Sequence, residues 1–272
     1  MKRYLVLAAL FGVYMNLKAQ NTSNFSEAIE DNSFLIEEAI NQGTGVVQHI
    51  SNGVWNTSDN HDFNYSITQE WPLAGQKHQI SYTIPYSFVN ATSKSGVGDI
   101  YLNYRYQLLN DENWMWCSPR LSFILPTGDK DKGFGNGDYG MELALPMSKR
   151  LSEKIYSHAN LGLSFVPHTD FNETTKSLVS YFGGFSFIYL VHRRTNFFVE
   201  NVVRYDNGID MEGNKEYVFE YTLNPALRFS IPVGNLEIVP GIGVPITFTK
   251  DDTSPAIFFY LSLEHPFKKT SE

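Results

Sequence analysis

The sequence predicts an all-β fold: an up-and-down transmembrane β-barrel of about twelve antiparallel strands. Three observations carry this. Apolar and polar side chains alternate with a period of two in about twelve segments between Val46 and Phe267, and successive side chains of a strand point to opposite faces. Many segments exceed the roughly five or six residues of an ordinary soluble strand and approach the roughly 9 to 11 that a tilted strand needs to cross a bilayer. The polar gaps between them are alternately long and short, the pattern of a barrel with tight turns at one end and larger loops at the other.

The elements follow in order. Residues 1–19 read as a signal peptide, with Lys2 and Arg3 before an apolar run from Tyr4 to Met15 and Leu17-Lys18-Ala19 at the expected cut. Residues 20–44 do not alternate and read as a periplasmic tether, a flap or a plug. Within them, Asn32 or Ser33 is placed to cap a short helix over Phe34 to Ile40, with Glu37 and Glu38 in its first turns. The barrel occupies 45–267 and a tail 268–272. Strands are expected at 46–51, 63–71, 78–88, 96–109, 114–126, 138–150, 155–167, 179–190, 196–205, 217–231, 235–248 and 256–267. Gaps 52–62, 89–95, 127–137, 168–178, 206–216 and 249–255 form the long set, and 72–77, 110–113, 151–154, 191–195 and 232–234 the short one. An even strand count leaves both termini on the short-turn, periplasmic side.

A strand with one greasy and one wet face would be buried in a soluble sandwich; in a membrane barrel the greasy face meets lipid. Outward faces are expected at Tyr82, Ile84, Tyr86 and Phe88, at Leu121, Phe123 and Leu125, at Leu161, Leu163 and Phe165, along Tyr217 to Phe229, and at Ile257, Phe259, Leu261 and Leu263. Aromatics gather near strand ends (Trp71, Trp114, Trp116, Tyr205, Tyr217), where amphipathic rings suit the headgroup boundary. No run of eighteen apolar residues follows the N-terminus, so a membrane-resident form must be a closed sheet.

The formal charge is −8, and loss of Lys2, Arg3 and Lys18 with the signal peptide takes it to −11. An acidic chain without basic clusters argues against nucleic acid as a partner. Cys117 is the single cysteine, which excludes an intrachain disulfide. No phosphate loop, zinc motif or nucleophile elbow is present, so no cofactor or resident metal is expected. Asp129-Lys130-Asp131 and Asn136-Gly137-Asp138 lack calcium-loop spacing and read as a solvated loop.

With the greasy faces outward, the lumen receives Glu70, Asp99, Arg105, Arg120, Glu142, His158, Asn160, Glu200, Arg204, Glu220, Asn224, Arg228, Glu237 and Glu264. Charges inside a spanning sheet must face water or one another. Arg105, Arg204 and Arg228 are expected to pair with carboxylates across neighbouring strands, and the carboxylate excess to favour cations or neutral polar solutes. Twelve strands fall between filled eight-stranded barrels and open sixteen-stranded ones. Inward Gly162, Gly184, Gly241 and Gly243 leave space that Tyr101, Phe182, Phe198, Phe258 and Tyr260 take back, which implies a narrow bore.

One motif offers enzymatic chemistry. His49 and Ser51 are two apart on a strand and share a face, where imidazole would activate a hydroxyl. With Asn52 they resemble the His-x-Ser-Asn pattern of outer-membrane phospholipases and lipid A deacylases. Action on lipid requires His49 and Ser51 to face outward, and the parity of so short a strand is open.

Gly96-Val97-Gly98-Asp99-Ile100 with the strand after it, Ser122-Phe123-Ile124-Leu125-Pro126-Thr127-Gly128-Asp129, and Ser157-His158-Ala159-Asn160-Leu161-Gly162 resemble the family of outer-membrane barrel transporters associated with the meta-pathway of phenol degradation. The resemblance implies a barrel and the passage of small organic molecules, including aromatic ones. The resulting expectation is a monomeric bacterial outer-membrane channel for passive movement of small molecules. Its partners would be lipid, lipopolysaccharide and the solutes themselves. A lipid hydrolase using His49 and Ser51, and a structural or adhesive barrel with an occluded lumen, are the alternatives.

Overall fold

The computed structural model describes residues 32–58, 61–110, 112–171, 174–209 and 215–267. The expected signal peptide, residues 20–31 and the tail 268–272 lie outside the described residues. Those described form one closed, antiparallel, up-and-down sheet of twelve spanning strands. They are β1 (Val46–Asn56), β2 (Phe63–Pro72), β3 (His78–Val89), β4 (Lys94–Val97 continuing as Ile100–Tyr106), β5 (Trp116–Cys117 continuing as Arg120–Leu125) and β6 (Gly140–Ser152). After them come β7 (Ile155–Phe171), β8 (Thr174–His192), β9 (Thr195–Ile209), β10 (Lys215–Phe229 with Ile231–Val233), β11 (Leu236–Gly243 with Ile246–Phe248) and β12 (Thr253–Pro266). Each strand pairs with its chain neighbours, and β1 closes on β12 from Val46↔Pro266 to Asn56↔Ala256. Closure leaves no sheet edge, the condition for a sheet in hydrocarbon.

The face assignment follows the alternation. On β4, Leu102 and Tyr104 are exposed on the outside while Asn103 and Arg105 are buried inside. Phe123, Leu161, Tyr217, Phe219 and Phe259 stand out from the wall, about half exposed. The apolar surface is therefore outside and the buried polar side chains inside, the reverse of a soluble sandwich. Aromatic pairs mark both rims: Trp71 lies 5.6 Å from Tyr82 at the end of the tight hairpins, and Tyr205 stacks on Tyr217 at 5.6 Å toward the other. We call these the hairpin end and the loop end. Cys117 is buried and free.

Three expectations need correction. The stretches 168–178 and 206–216 are mostly not loops: β7 runs to Phe171, β8 begins at Thr174, β9 runs to Ile209 and β10 begins at Lys215. These stretches are mostly polar in sequence, so their strand pairing shows no alternation. The turn expected at 110–113 runs on to 115, because β5 begins at Trp116. On its other side the pairing continues past Tyr106 to Leu109, which exchanges both backbone hydrogen bonds with Cys117 at 3.1 and 3.2 Å. Finally, no helix forms over Phe34 to Ile40.

Candidate functional site

Residues 32–44 lie inside the barrel. Ser33, Phe34, Ile36, Glu38, Ala39, Asn41 and Gln42 are all buried, and the segment joins β1 at the hairpin end. These residues stand within the bore, enclosed by the wall. A helix would satisfy their backbone N–H groups internally; here the wall does so instead. Glu200 Oε1 accepts from Leu35 N at 2.7 Å and Ile36 N at 3.1 Å, Ser148 Oγ accepts from Ala39 N at 2.7 Å, Gln107 Oε1 from Asn41 N at 2.9 Å and Gln79 Oε1 from Gln42 N at 2.7 Å. Asn32 contributes a turn, its Oδ1 accepting from Glu38 N at 2.8 Å. The carbonyls are met as well: Arg105 donates to those of Glu38 and Ile40 and to Asn41 Oδ1, Ser118 and Gln107 to that of Ala39, and Arg228 to that of Asn32. Buried backbone polar groups need such partners.

Apolar contacts anchor one end of the segment. Phe34 meets Phe198 edge-on at 4.8 Å and stacks on Phe258 at 5.1 Å and Tyr260 at 4.9 Å. Together with Ile50, Ile188, Leu190, Ala226 and Val239 these rings form a hydrophobic core inside the bore. Two inward glycines make the room: a Cβ at Gly241 would overlap the Phe34 ring, and one at Gly184 would stand 2.7 Å from Ile36 Cδ1.

The charged residues then sort by what they touch. Arg120 bridges the segment and the wall, 2.7 Å from Glu37 Oε1 and 2.8 Å from Glu142 Oε1. Asn160, with its amide oriented to suit, donates to Glu37 O at 3.0 Å and accepts from Glu37 N at 2.8 Å. On the loop side of the segment is a polar cavity of about 340 Å3, walled by Ser33 to Glu37, Asn52, Glu70, Tyr101, Asn103, Arg120, Glu142 and Arg204. Carboxylates outnumber arginines there by three to two. Arg204 is half exposed to this space and rests on Asp206 at 3.2 Å.

All fourteen residues expected in the lumen fall on the inward parity, but several do other work. Arg105 stands 4.0 Å from Glu70 and gives most of its donors to the segment. Arg228 lies over the Phe198 ring at 5.4 Å and donates to Asn32 O. Asp99 faces a loop instead of open lumen: it accepts from Gly128 N at 3.0 Å and Asn136 N at 2.8 Å, which folds residues 126–139 against β4. Phe134 is thereby buried over Gly96. Glu200 and Asn224 bond each other at 2.6 Å, His158 bonds Ser148 at 2.7 Å, and Glu70 accepts from Gln79 at 2.7 Å. Glu220 lies in register with Arg204, and Glu237 with Glu264 near the hairpin end. Sequence reasoning missed Ser118, Gln79, Gln107 and Ser148, the wall residues that hold the segment. Their signal was inward serine and glutamine in β3 to β6, opposite an amide-rich segment that would need partners.

His49 and Ser51 do face outward, but they are not joined. Ser51 Oγ accepts from Tyr65 at 3.2 Å, His49 Nε2 faces His265 Nε2 at 3.3 Å, and Asn52 points inward to the cavity. Asp129 caps the turn 130–132 and pairs with Lys132 at 2.6 Å, whose ammonium holds that carboxyl below the usual carboxylate range.

No family model matches the chain, and no curated protein does. Among solved structures it is similar to an outer-membrane channel from Pseudomonas putida F1, with a TM-score of 0.62 at 13% identity, covering 84% of this chain and 97% of that one. It is also similar to the NanC porin, with a TM-score of 0.52 at 7% identity, covering 80% of this chain and 98% of that one.

Proposed function

We propose that this chain is an outer-membrane channel for small polar molecules, closed at its hairpin end by its own residues 32–44. The observation that carries this is the filling of the bore. A barrel built only as a scaffold would be packed by wall side chains, as in eight-stranded examples. Here the wall keeps inward glycines and polar side chains, and a separate segment occupies the space through bonds that water would replace on its departure. The likeness in fold to an outer-membrane channel and a porin supports the same reading. Both chain ends then face the periplasm, and solute enters from the loop end into the cavity. Along the wall itself, without the segment, the seven inward carboxylates exceed the four inward arginines, which favours cations and neutral polar solutes over anions. Phenolic compounds, implied by the sequence resemblance, are one solute class to assay.

The test is planar-bilayer conductance of the folded protein and of a variant lacking residues 32–42. The full chain should pass little current, and the deletion should open a steady cation-preferring conductance and admit small sugars and phenols in a liposome-swelling assay. Absence of flux through the folded deletion variant would reject the channel in favour of an occluded structural barrel.

A further inference from the structure

We infer that His49 and His265 form a binding site for a divalent transition-metal ion, of which zinc is the reference case, clasping the first strand of the barrel to the last. The inference does not rest on the channel reading. The two residues sit across the β1–β12 seam, His49 opposite Leu263 and His265 opposite Val47, on the outer face near the hairpin end. Their Nε2 atoms are 3.3 Å apart. The ring centroids are 5.4 Å apart at 21°, so the nitrogen edges meet and the ring faces do not.

That spacing suits a chelate. Zinc takes imidazole nitrogen at about 2.0–2.1 Å, and at a tetrahedral angle two such nitrogens lie about 3.3–3.4 Å from each other. The ring of His265 is set for ligation by a partner of its own: Nδ1 lies 3.2 Å from the carbonyl of Pro266, the acceptor that holds the proton on Nδ1 and leaves the Nε2 lone pair directed at His49. Without metal, His49 Nε2–H donates to that lone pair. A metal ion takes both Nε2 lone pairs once His49 carries its proton on Nδ1 instead.

Among the described residues no cluster of three or more histidine, cysteine or carboxylate side chains is placed to hold a metal. Water therefore completes the coordination, and affinity is modest and lost on imidazole protonation. Imidazole selects zinc, copper and nickel over magnesium and calcium. The consequence is mechanical: a bond between β1 and β12 opposes opening of the barrel at the only place where the two ends of the sheet meet.

The experiment uses the detergent-folded chain without a histidine tag. Thermal unfolding is followed by circular dichroism with zinc, with magnesium and with zinc plus chelator. Zinc should raise the midpoint in a concentration-dependent, chelator-reversible way, magnesium should not, and the shift should vanish in His49→Gln and in His265→Gln. Copper electron paramagnetic resonance on the unsubstituted protein gives a readout independent of the variants, with hyperfine structure from two nitrogens expected. A wild-type midpoint indifferent to zinc, a zinc shift undiminished in both variants, or a copper spectrum without imidazole nitrogen would each overturn the site.

Discussion

The carboxylate of Glu200, fully buried in β9, accepts the backbone N–H of Leu35 at 2.7 Å with the same oxygen that reaches Ile36 at 3.1 Å, while its other oxygen takes Asn224 at 2.6 Å. One wall residue thus substitutes for a missing turn of helix in the plug. Glu200→Ala removes the acceptor of the Leu35 and Ile36 N–H groups of the segment, and each donor left unpaired there costs about 1–3 kcal/mol. Because about 1.4 kcal/mol is tenfold in an equilibrium, the open fraction should rise by one to several orders of magnitude. Single-channel recording should show openings in Glu200→Ala that are rare in the parent, with the far-ultraviolet spectrum unchanged. A variant as silent as the parent would show that the plug does not depend on this anchor.

The aromatic contact at the same end makes a separate prediction. Gly241 leaves the space that the Phe34 ring fills against Phe198, Phe258 and Tyr260. Gly241→Leu puts a side chain in that space and should expel the ring, whereas Phe34→Ala removes the ring and should cost the docked plug roughly 3–5 kcal/mol. Both should raise conductance by loosening the same segment, and their combination should add little to either alone. Full additivity in a double-mutant comparison would count against the contact.

Selectivity should follow Arg120. In the variant lacking 32–42 it keeps Glu142 but loses Glu37. Arg120→Gln then leaves the carboxylates of the cavity opposed by Arg204 alone. The reversal potential under a potassium chloride gradient should shift toward potassium, and Glu142→Gln should shift it the other way. Equal permeability ratios in the two would place the selective step elsewhere.

How much of this was legible follows from where the physical signal lies. Alternation is imposed by one greasy surface, so the lipid-facing strands and the inward parity of Glu142, Glu200 and Arg228 could be read directly. The strand extensions to Phe171 and Ile209 and from Thr174 and Lys215 are mostly polar in sequence, and no alternation marked them as strand. The plug was visible only as the absence of alternation. Glu37 and Glu38 after Asn32 suggested a capped helix, because local sequence cannot show that Glu200, Ser148, Gln107 and Gln79 offer the backbone better partners than its own carbonyls. His49 and Ser51 share a face as expected, yet His265, 216 residues away in sequence, was out of reach of any local motif.

The hydrolase alternative makes its own prediction. A nucleophilic serine needs a base within hydrogen-bond reach, but Ser51 Oγ bonds Tyr65 while His49 is turned to His265. Fluorophosphonate probes should leave the folded protein unlabelled in detergent and in phospholipid vesicles. Labelling that disappears in Ser51→Ala would restore the enzyme.

Asp99 governs the loop end. Its two oxygens hold Gly128 N at 3.0 Å and Asn136 N at 2.8 Å, and Phe134 between them is buried over Gly96. Hydrogen bonds to a charged group contribute about 1.5–3 kcal/mol each, so Asp99→Ala should release residues 127–137 from the wall. The strands on either side are tied by their own ladder and should not follow. The expected signature is local: faster amide exchange and new protease cuts between Thr127 and Asp138, with the melting midpoint of the barrel nearly unchanged. If the midpoint falls as far as the loop protection does, Asp99 is bracing the sheet and not the loop.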